Sequence, residues 1–413
     1  MGSEWRTATI GALASVSRGA SPRPIASPRW FDINSKIRWV RIADVNRSDG
    51  RILGTTTQAL SADGVVRSRY LEPGTLIMSI AATVGIPVIT GVPACIHDGF
   101  VSLENLKIDK KFMLYLLKAS EARLREAGQS GSQMNVNSDI VRRLEVQIPS
   151  EREEQARIAS ALWDIDDLIE LLERSVVKKR AMKQGMMQEL LTGRTRLPGF
   201  AEPWRAIRFG DHVSYVKNVA LSRAQLDSAS PLRYLHYGDI HTRSSSVLDA
   251  SAEDMPRASK ALARNAGLLQ VGDLVFADAS EDPDGVGRSV EIIGVPIDGV
   301  IPGLHTIAAR FDKHVLADGF KGYLQFIAAF RTQLLALASG TKVLATTRAY
   351  ISSIELTLPN VVEQAAIAEV LHDADTEIVA LERRLEATRA IKQGMMQELL
   401  TGRTRLMPTE TSA

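Results

Sequence analysis

The sequence predicts an α+β chain: two mixed α/β lobes separated by two long helices that pair as an antiparallel coiled coil, with pseudo-twofold repetition. Three observations carry this. Lys183 to Leu197 recurs letter for letter as Lys392 to Leu406, 209 positions later. A period that long means two large half-molecules, not the ~20–50-residue repeats of a solenoid. Apolar residues around each copy fall on heptad ladders, and the stretches between the copies carry short β-type runs bounded by turn residues.

The first lobe is expected over residues 1–149. Its β-type runs are Ile37 to Ile42, Thr75 to Ile80 and Val84 to Val92, set off by Ser48-Asp49-Gly50, Ala62-Asp63-Gly64 and Glu72-Pro73-Gly74. Lys110 to Glu126 has helical spacing, a polar loop runs from Gly128 to Asn137, and Leu144 to Ile148 reads as a closing strand before Pro149. Residues 150–199 form the central helical region. Ser150 is a candidate N-cap, with Glu151, Glu153 and Glu154 where the helix dipole favours negative charge. Ile158, Ile165, Leu172 and Met186 make one seven-residue ladder, interrupted at Lys179. Leu162, Ile169, Val176 and Leu190 make the other, interrupted at Lys183. Gly193 is a natural stop.

The second half repeats the plan, with a lobe over residues 200–358 and a C-terminal helical region over 359–413. Trp204-Arg205 answers Trp5-Arg6, and Val271 to Phe276 answers Pro73 to Met78. Tyr323 sits as Tyr115 does, and Glu363-Gln364 matches Glu154-Gln155. The second seam runs through Ile367, Leu371, Ile378, Leu381, Leu385, Met395 and Leu399, with Lys392 standing where Lys183 stands. Each helix is expected to span ~40 residues, ~60 Å. A lobe must fit between the end of one helix and the start of the other, so antiparallel pairing is the simpler topology.

Composition bounds the class. At 413 residues, with 45% hydrophobic and 24% charged residues, the chain is expected to bury real cores. No apolar run approaches a membrane span, and Met1 to Arg6 lacks the features of a secretory signal. Cys95 is the single cysteine, which excludes an intrachain disulfide and suits a reducing compartment, so a cytoplasmic location is expected. The net charge of +2 is uneven: residues 1–150 alone balance at +6. A basic lobe favours a polyanionic partner.

The repeated helical motifs resemble those of the specificity (S) subunits of type I restriction-modification systems. The resemblance rests on Pro149 … Glu154-Gln155-x-x-Ile158-Ala159 and its twin Pro359 … Glu363-Gln364-x-x-Ile367-Ala368. Each twin continues into Lys-Gln-Gly-Met-Met-Gln-Glu-Leu-Leu-Thr-Gly-Arg, and the first into the link Thr195 to Phe200 before Trp204. It implies that the lobes are two target-recognition domains, each reading one half of an interrupted double-stranded DNA site, with the helices setting the gap. It also implies that this chain does no chemistry and holds no cofactor. Two modification subunits would methylate adenine with S-adenosylmethionine, and restriction motor-nuclease subunits would use ATP and Mg²⁺.

The residues themselves offer no catalytic constellation. There is no phosphate loop, Gly340-Thr341-Lys342 lacking the upstream glycine, and no Asn/Asp-Pro-Pro-Tyr motif. Asp282-Pro283-Asp284 with Glu291 has a nuclease-like acidic look, but Ile293 stands where a lysine is needed. His97, His236, His241 and His305 lack ligand spacing and read as packing or DNA-facing residues.

Base readout and phosphate contact call for Arg, Lys, Asn, Gln, Ser or Thr on loops. In the first lobe the candidates are Arg18, Arg23 and Arg29, the pair Arg67 and Arg69, and the loop residues Gln129, Ser130, Ser132, Gln133, Asn135 and Asn137. In the second they are Lys217, Asn218, Arg223, His241, Arg243, Thr341, Lys342, Thr346, Thr347 and Arg348. Any one of them could equally be solvated loop. Partner docking is assigned to Lys183, Met186, Met187, Leu190, Lys392, Met395, Met396 and Leu399, because methionine suits an adaptable surface as well as a core. Lys183 and Lys392 either fix register as buried polar residues or pack their stems and release the ammonium to water; the second is preferred. Two rival classes stand beside the family reading. A stand-alone DNA-binding regulator would have to bind tightly with a net charge of only +2. A coiled-coil scaffold would not need polar loops recurring at equivalent places in both lobes.

Overall fold

The computed structural model describes residues 4–128, 136–280, 282, 285–337 and 344–406. The chain forms two compact units, residues 1–173 with 383–413, and residues 174–382. Both long helices, Arg152–Leu190 and Val361–Leu399, have 39 residues, and each contributes to both units. Asn360 caps the second, its side-chain oxygen accepting the Glu363 N–H at 2.9 Å. The first ends at Leu190 and turns at Gly193, whose φ of +69° suits glycine.

In the first unit the chain enters and leaves the lobe through one antiparallel pair, Trp5–Thr9 with Glu145–Pro149. A five-stranded sheet runs in the order Ser15–Arg18, Phe100–Glu104, Leu76–Ser79, Pro87–Thr90, Ile52–Leu53. A four-stranded sheet places Arg38–Val40 parallel to Ala94–Ile96, with Gln58–Ala59 and Arg69–Leu71 at its edges. The core joins Met78, Phe112, Tyr115 and Leu117 of the lobe to Ile158 and Leu162 of one long helix and Leu399 and Leu400 of the other. The helices run antiparallel here: Glu154 pairs with Arg405 at 2.7 Å, Asp166 with Lys392 at 2.6 Å and Glu173 with Arg389 at 2.7 Å.

The second unit repeats these contacts on its own residues. Arg205–Arg208 pairs with Glu355–Leu358. A five-stranded sheet runs Val213–Val216, Thr306–Phe311, Leu274–Ala277, Ser289–Gly294, Val247–Asp249, and Arg233–Leu235 lies parallel to Val300–Pro302. Its core joins Phe276, Phe330 and Tyr323 to Leu190 and Leu191 of one long helix and Ile367 and Leu371 of the other. Glu363 pairs with Arg196, Asp375 with Lys183 and Glu382 with Arg180. Adding 209 to Glu154, Asp166 and Lys183 gives Glu363, Asp375 and Lys392, so the ion pairs themselves are duplicated.

Three expectations change. The helix expected over Lys110 to Glu126 is two, Lys110–Ala119 and Glu121–Ala127, because Ser120 leaves helical geometry and turns its hydroxyl onto the Leu116 carbonyl at 2.8 Å. Tyr323 sits in a 3₁₀ helix, Lys321–Phe326, not in an α-helix like that of Tyr115. The Lys183 and Lys392 ammoniums do not escape to water. Lys392 meets Asp166, which also accepts the Tyr115 hydroxyl at 2.7 Å; Lys183 meets Asp375, which accepts the Tyr323 hydroxyl at 3.1 Å. A carboxylate on the facing helix, already held by a buried phenol, is a better partner than solvent.

Candidate nucleic-acid interface

Besides the parallel pair at the edge of its five-stranded sheet, each lobe pairs Arg38–Val40 with Ala94–Ile96 or Arg233–Leu235 with Val300–Pro302 in parallel, and parallel strands end on the same side, which brings the loops that follow them together. The two ends are built alike. Arg38-Trp39-Val40 runs into Arg41, which opens helix Ile42–Arg47; Arg233-Tyr234-Leu235 runs into His236, which opens helix Tyr237–His241. In both, a carboxylate three residues on pins the first backbone amide: Arg41 N–H to Asp44 Oδ2 at 3.0 Å, and His236 N–H to Asp239 Oδ2 at 2.9 Å. The turn after the parallel partner strand, His97-Asp98 in one lobe and Leu304-His305 in the other, closes each site.

In the first lobe this end opens as a cleft of about 1010 Å³ lined by Arg23, Phe31, Trp39, Arg41, Gln58, His97 and Asp98, among others. Burial lowers the His97 pKa, so its ring is neutral; its Nδ1 accepts the Gly99 N–H at 2.8 Å, which leaves the proton on Nε2. Burial pushes the Asp98 carboxyl up, but the Ser21 hydroxyl at 2.8 Å, with help from its own amide and the nearby Arg18, holds it below its usual range. Two further arginines lie on the ring of Trp30, Arg29 at 3.8 Å and Arg67 at 5.5 Å from its centroid.

In the second lobe the same place is aromatic. The Tyr237 ring is surrounded by His236 at 4.4 Å, His305 at 5.4 Å and His241 at 5.9 Å between centroids. His305 Nδ1 lies 3.1 Å from Asp278, and His241 Nε2 donates to the Ala279 carbonyl at 3.0 Å. Burial lowers the His236 pKa, with Asp239 acting the other way. Among the described residues no group of three or more His, Cys, Asp or Glu is placed to hold a metal ion, and no helix is long and apolar enough to cross a membrane.

Residues 2–177 match the family described as the type I restriction modification DNA specificity domain. The type I restriction enzyme MjaVIII specificity subunit of Methanocaldococcus jannaschii is 24% identical over 334 residues, 76% of this chain and 76% of that one. The type I restriction-modification S subunit from M. genitalium shares the fold, with a TM-score of 0.59 at 13% identity over 96% of each chain. A chain from a structure of type I R-M complex assembly and conformational transition matches at a TM-score of 0.57 and 14% identity, over 97% of this chain and 98% of that one. Over residues 2–177 the chain is thus similar to the type I DNA specificity domain, and over nearly its whole length it shares the fold of solved S subunits.

The polar side chains singled out in the sequence differ in how far the fold already uses them. Arg23, Arg29, Arg67, Lys217, Arg223 and Arg348 are exposed, Arg348 lying 5.5 Å from the Tyr215 ring centroid. Arg18 is also exposed but is tied by Nε to the Asp98 carbonyl at 2.8 Å. Seven other candidates are engaged by the fold itself. Arg69 pairs with Glu104 at 2.7 Å, and Arg243 grips Glu253 through both terminal nitrogens at 2.8 and 2.5 Å. The Asn137 oxygen caps helix Ser138–Arg143, and the Thr347 hydroxyl caps Arg348–Ser353. Asn218 donates to the Thr306 carbonyl at 3.0 Å, and Thr346 is buried. His241 is half-buried on Ala279. Gln129, Ser130, Ser132, Gln133, Asn135, Thr341 and Lys342 lie outside the described residues.

Arg41, Gln58, Phe31 and Tyr237 were not singled out from sequence. A signal was present: Arg38-Trp39-Val40-Arg41-Ile42-Ala43-Asp44 and Arg233-Tyr234-Leu235-His236-Tyr237-Gly238-Asp239 share their first and last letters and their aromatic and aliphatic steps. The eight residues named for docking are largely used within their own units. Leu190 and Leu399 are buried, Met186, Met187, Met395 and Met396 pack partly buried on the cores, and Lys183 and Lys392 are ion-paired. The exposed apolar side chains of the long helices are instead Leu171, Val177, Met182, Val362, Val379 and Ile391.

Proposed function

We propose that this chain is the DNA-reading subunit of a type I restriction-modification complex, each lobe reading one half of a bipartite double-stranded site while the long helices set the gap. The observation that carries this is the repeated frame: two lobes, each with the same strand-to-helix step at the tip of a parallel strand pair, held to the helices by the same ion pairs 209 residues apart. Side chains that differ at that step on a frame that repeats suit two readers of different sequences. The division into target-recognition domains at 1–149 and 200–358 and helical regions at 150–199 and 359–413 belongs to the same proposal. So does the absence of catalysis in this chain, with S-adenosylmethionine, ATP and Mg²⁺ on the partners. Two modification subunits would dock on the helical regions, each at one copy of the repeated segment, and restriction subunits would join them.

The ruler role has a direct test. Inserting seven residues in each long helix lengthens it by about 10 Å, at ~1.5 Å per residue. That corresponds to roughly three base pairs at ~3.4 Å each. Mapping adenine methylation in cells carrying the altered chain and its partner subunits should then show both half-sites intact and the gap lengthened by about three base pairs. Unchanged spacing with altered half-sites would contradict it.

A further inference from the structure

We propose that Arg41 is the specificity-determining side chain of the first lobe and that it reads a guanine through the major-groove edge; the inference rests on the proposed reading of one half-site by each lobe. Arginine offers two parallel N–H donors in a rigid fork, which matches the O6 and N7 acceptors that guanine alone presents side by side.

Three observations single out this residue. Its backbone is fixed: Val40 is in register with Ile96 of the parallel partner, and the Arg41 amide is held by Asp44. Among the described residues no carboxylate pairs with its guanidinium. Arg23 and Arg69 each face a carboxylate, Arg18 donates to the Asp98 carbonyl, and Arg29 and Arg67 lie on Trp30. The Asp44 carboxylate is taken by Arg47 at 2.6 Å and by Thr57, so it is not the partner of Arg41. What Arg41 meets is the Gln58 side-chain oxygen at 3.4 Å, a neutral group that steadies the fork without cancelling its charge. Arg41 and Gln58 both line the open cleft, where an apolar wall of Phe31 and Trp39 stands beside them.

The third observation comes from the other lobe. The position of Arg41 in the strand-to-helix step is that of His236, with the same carboxylate pinning the same amide. A position whose backbone is held constant while its side chain changes from guanidinium to imidazole is where a reader of different bases would vary. Phosphate contact alone would favour a cation in both lobes.

The test uses the full chain assembled with its modification subunits, with methylation measured on duplexes randomised at each position of both half-sites. In the unaltered complex one position of the first half-site should prefer guanine by about 5–150-fold, the span of a good bidentate contact. Arg41→Ala should reduce that preference to within about 3-fold and leave every other position unchanged. Placing 7-deazaguanine, which lacks the N7 acceptor, at that position should slow methylation by the unaltered complex about 10-fold and have no such effect on Arg41→Ala. The substituted base probes the contact without altering the protein. The assignment is overturned if Arg41→Ala slows methylation equally on all sequences, as loss of a phosphate contact would. It is also overturned if 7-deazaguanine is tolerated at every guanine of the half-site. If Arg41→Ala changes preferences in both half-sites, the reading of one half-site by each lobe falls with it.

Discussion

The two units repeat one another wherever the lobe grips the helices and depart from one another wherever the lobe has a free hand. Tyr115, Asp166 and Lys392 in one become Tyr323, Asp375 and Lys183 in the other. Trp5 lies against Gly402 as Trp204 lies against Gly193. The infill differs. Where the first lobe places Ile89 and Met113 in an apolar core, the second places Glu291 and Lys321, both fully buried, with Glu291 also accepting the Gly319 and Gly322 amides at 2.6 and 2.8 Å. The difference teaches that the repeated residues answer to the geometry of attachment, whereas the lobe interiors and clefts are solved independently. Glu291, which in sequence had a nuclease-like look beside Asp282, is accounted for as this structural carboxylate.

The largest effect expected comes from the place where the interiors differ most. Lys321→Met leaves Glu291 without its cation and should cost about 3–5 kcal/mol, read by chemical unfolding. The loss should shrink as the pH is lowered, because burial already pushes the Glu291 pKa up and protonation removes the uncompensated charge. A cost below about 1 kcal/mol would show that the pair is idle. The next sharpens the likeness. Asp166→Ala and Asp375→Ala each strand a lysine and a tyrosine hydroxyl and should cost about 2–3 kcal/mol apiece. Hydrogen exchange should localise each loss to its own unit. Losses differing by more than about 2 kcal/mol would mean the two triads are not equivalent.

Gly193→Ala and Gly402→Ala should follow at about 1–2 kcal/mol each, since both residues have positive φ and a new Cβ would meet a tryptophan ring at 3.0 and 2.8 Å. The smallest effect belongs to Lys118, which Phe326 replaces in the second lobe when Tyr115 is set on Tyr323. Burial, then the nearby Lys392, lowers its pKa to about 8 from 10.5. The unfolded chain therefore binds more protons between those values, and stability rises as pH climbs through them. Lys118→Met should stabilise by about 1 kcal/mol at pH 7, after allowance for solvent screening. In thermal unfolding the gain should fade above pH 8. A gain independent of pH would place its origin in packing.

Much of this frame was legible because periodic signals are local. The heptad ladders and the repeated segment gave both long helices and their stops. The ion-paired state of Lys183 was not, because its partner Asp375 is 192 residues away and only the antiparallel register brings them together. Asn137 and Thr347 looked like base readers since the donors and acceptors that suit a groove edge also suit a helix N-terminus, and only the backbone says which is used. Arg243 has its neutralising Glu253 ten residues on, invisible until the chain turns back. The cleft residues were hidden for another reason. Arg41 and His236 correspond in backbone and not in letter, so a search for repeated letters passes over the positions where the lobes diverge.

The central claim, one lobe for one half-site on a common frame, is tested most directly by exchanging residues 200–358 for the corresponding lobe of a type I specificity subunit, keeping the ion-paired helix ends. Genome-wide adenine-methylation mapping in cells with the partner subunits should then show one half of the target replaced, the other half and the gap between them unchanged. Replacement of both halves, or a changed gap with both halves kept, would contradict it.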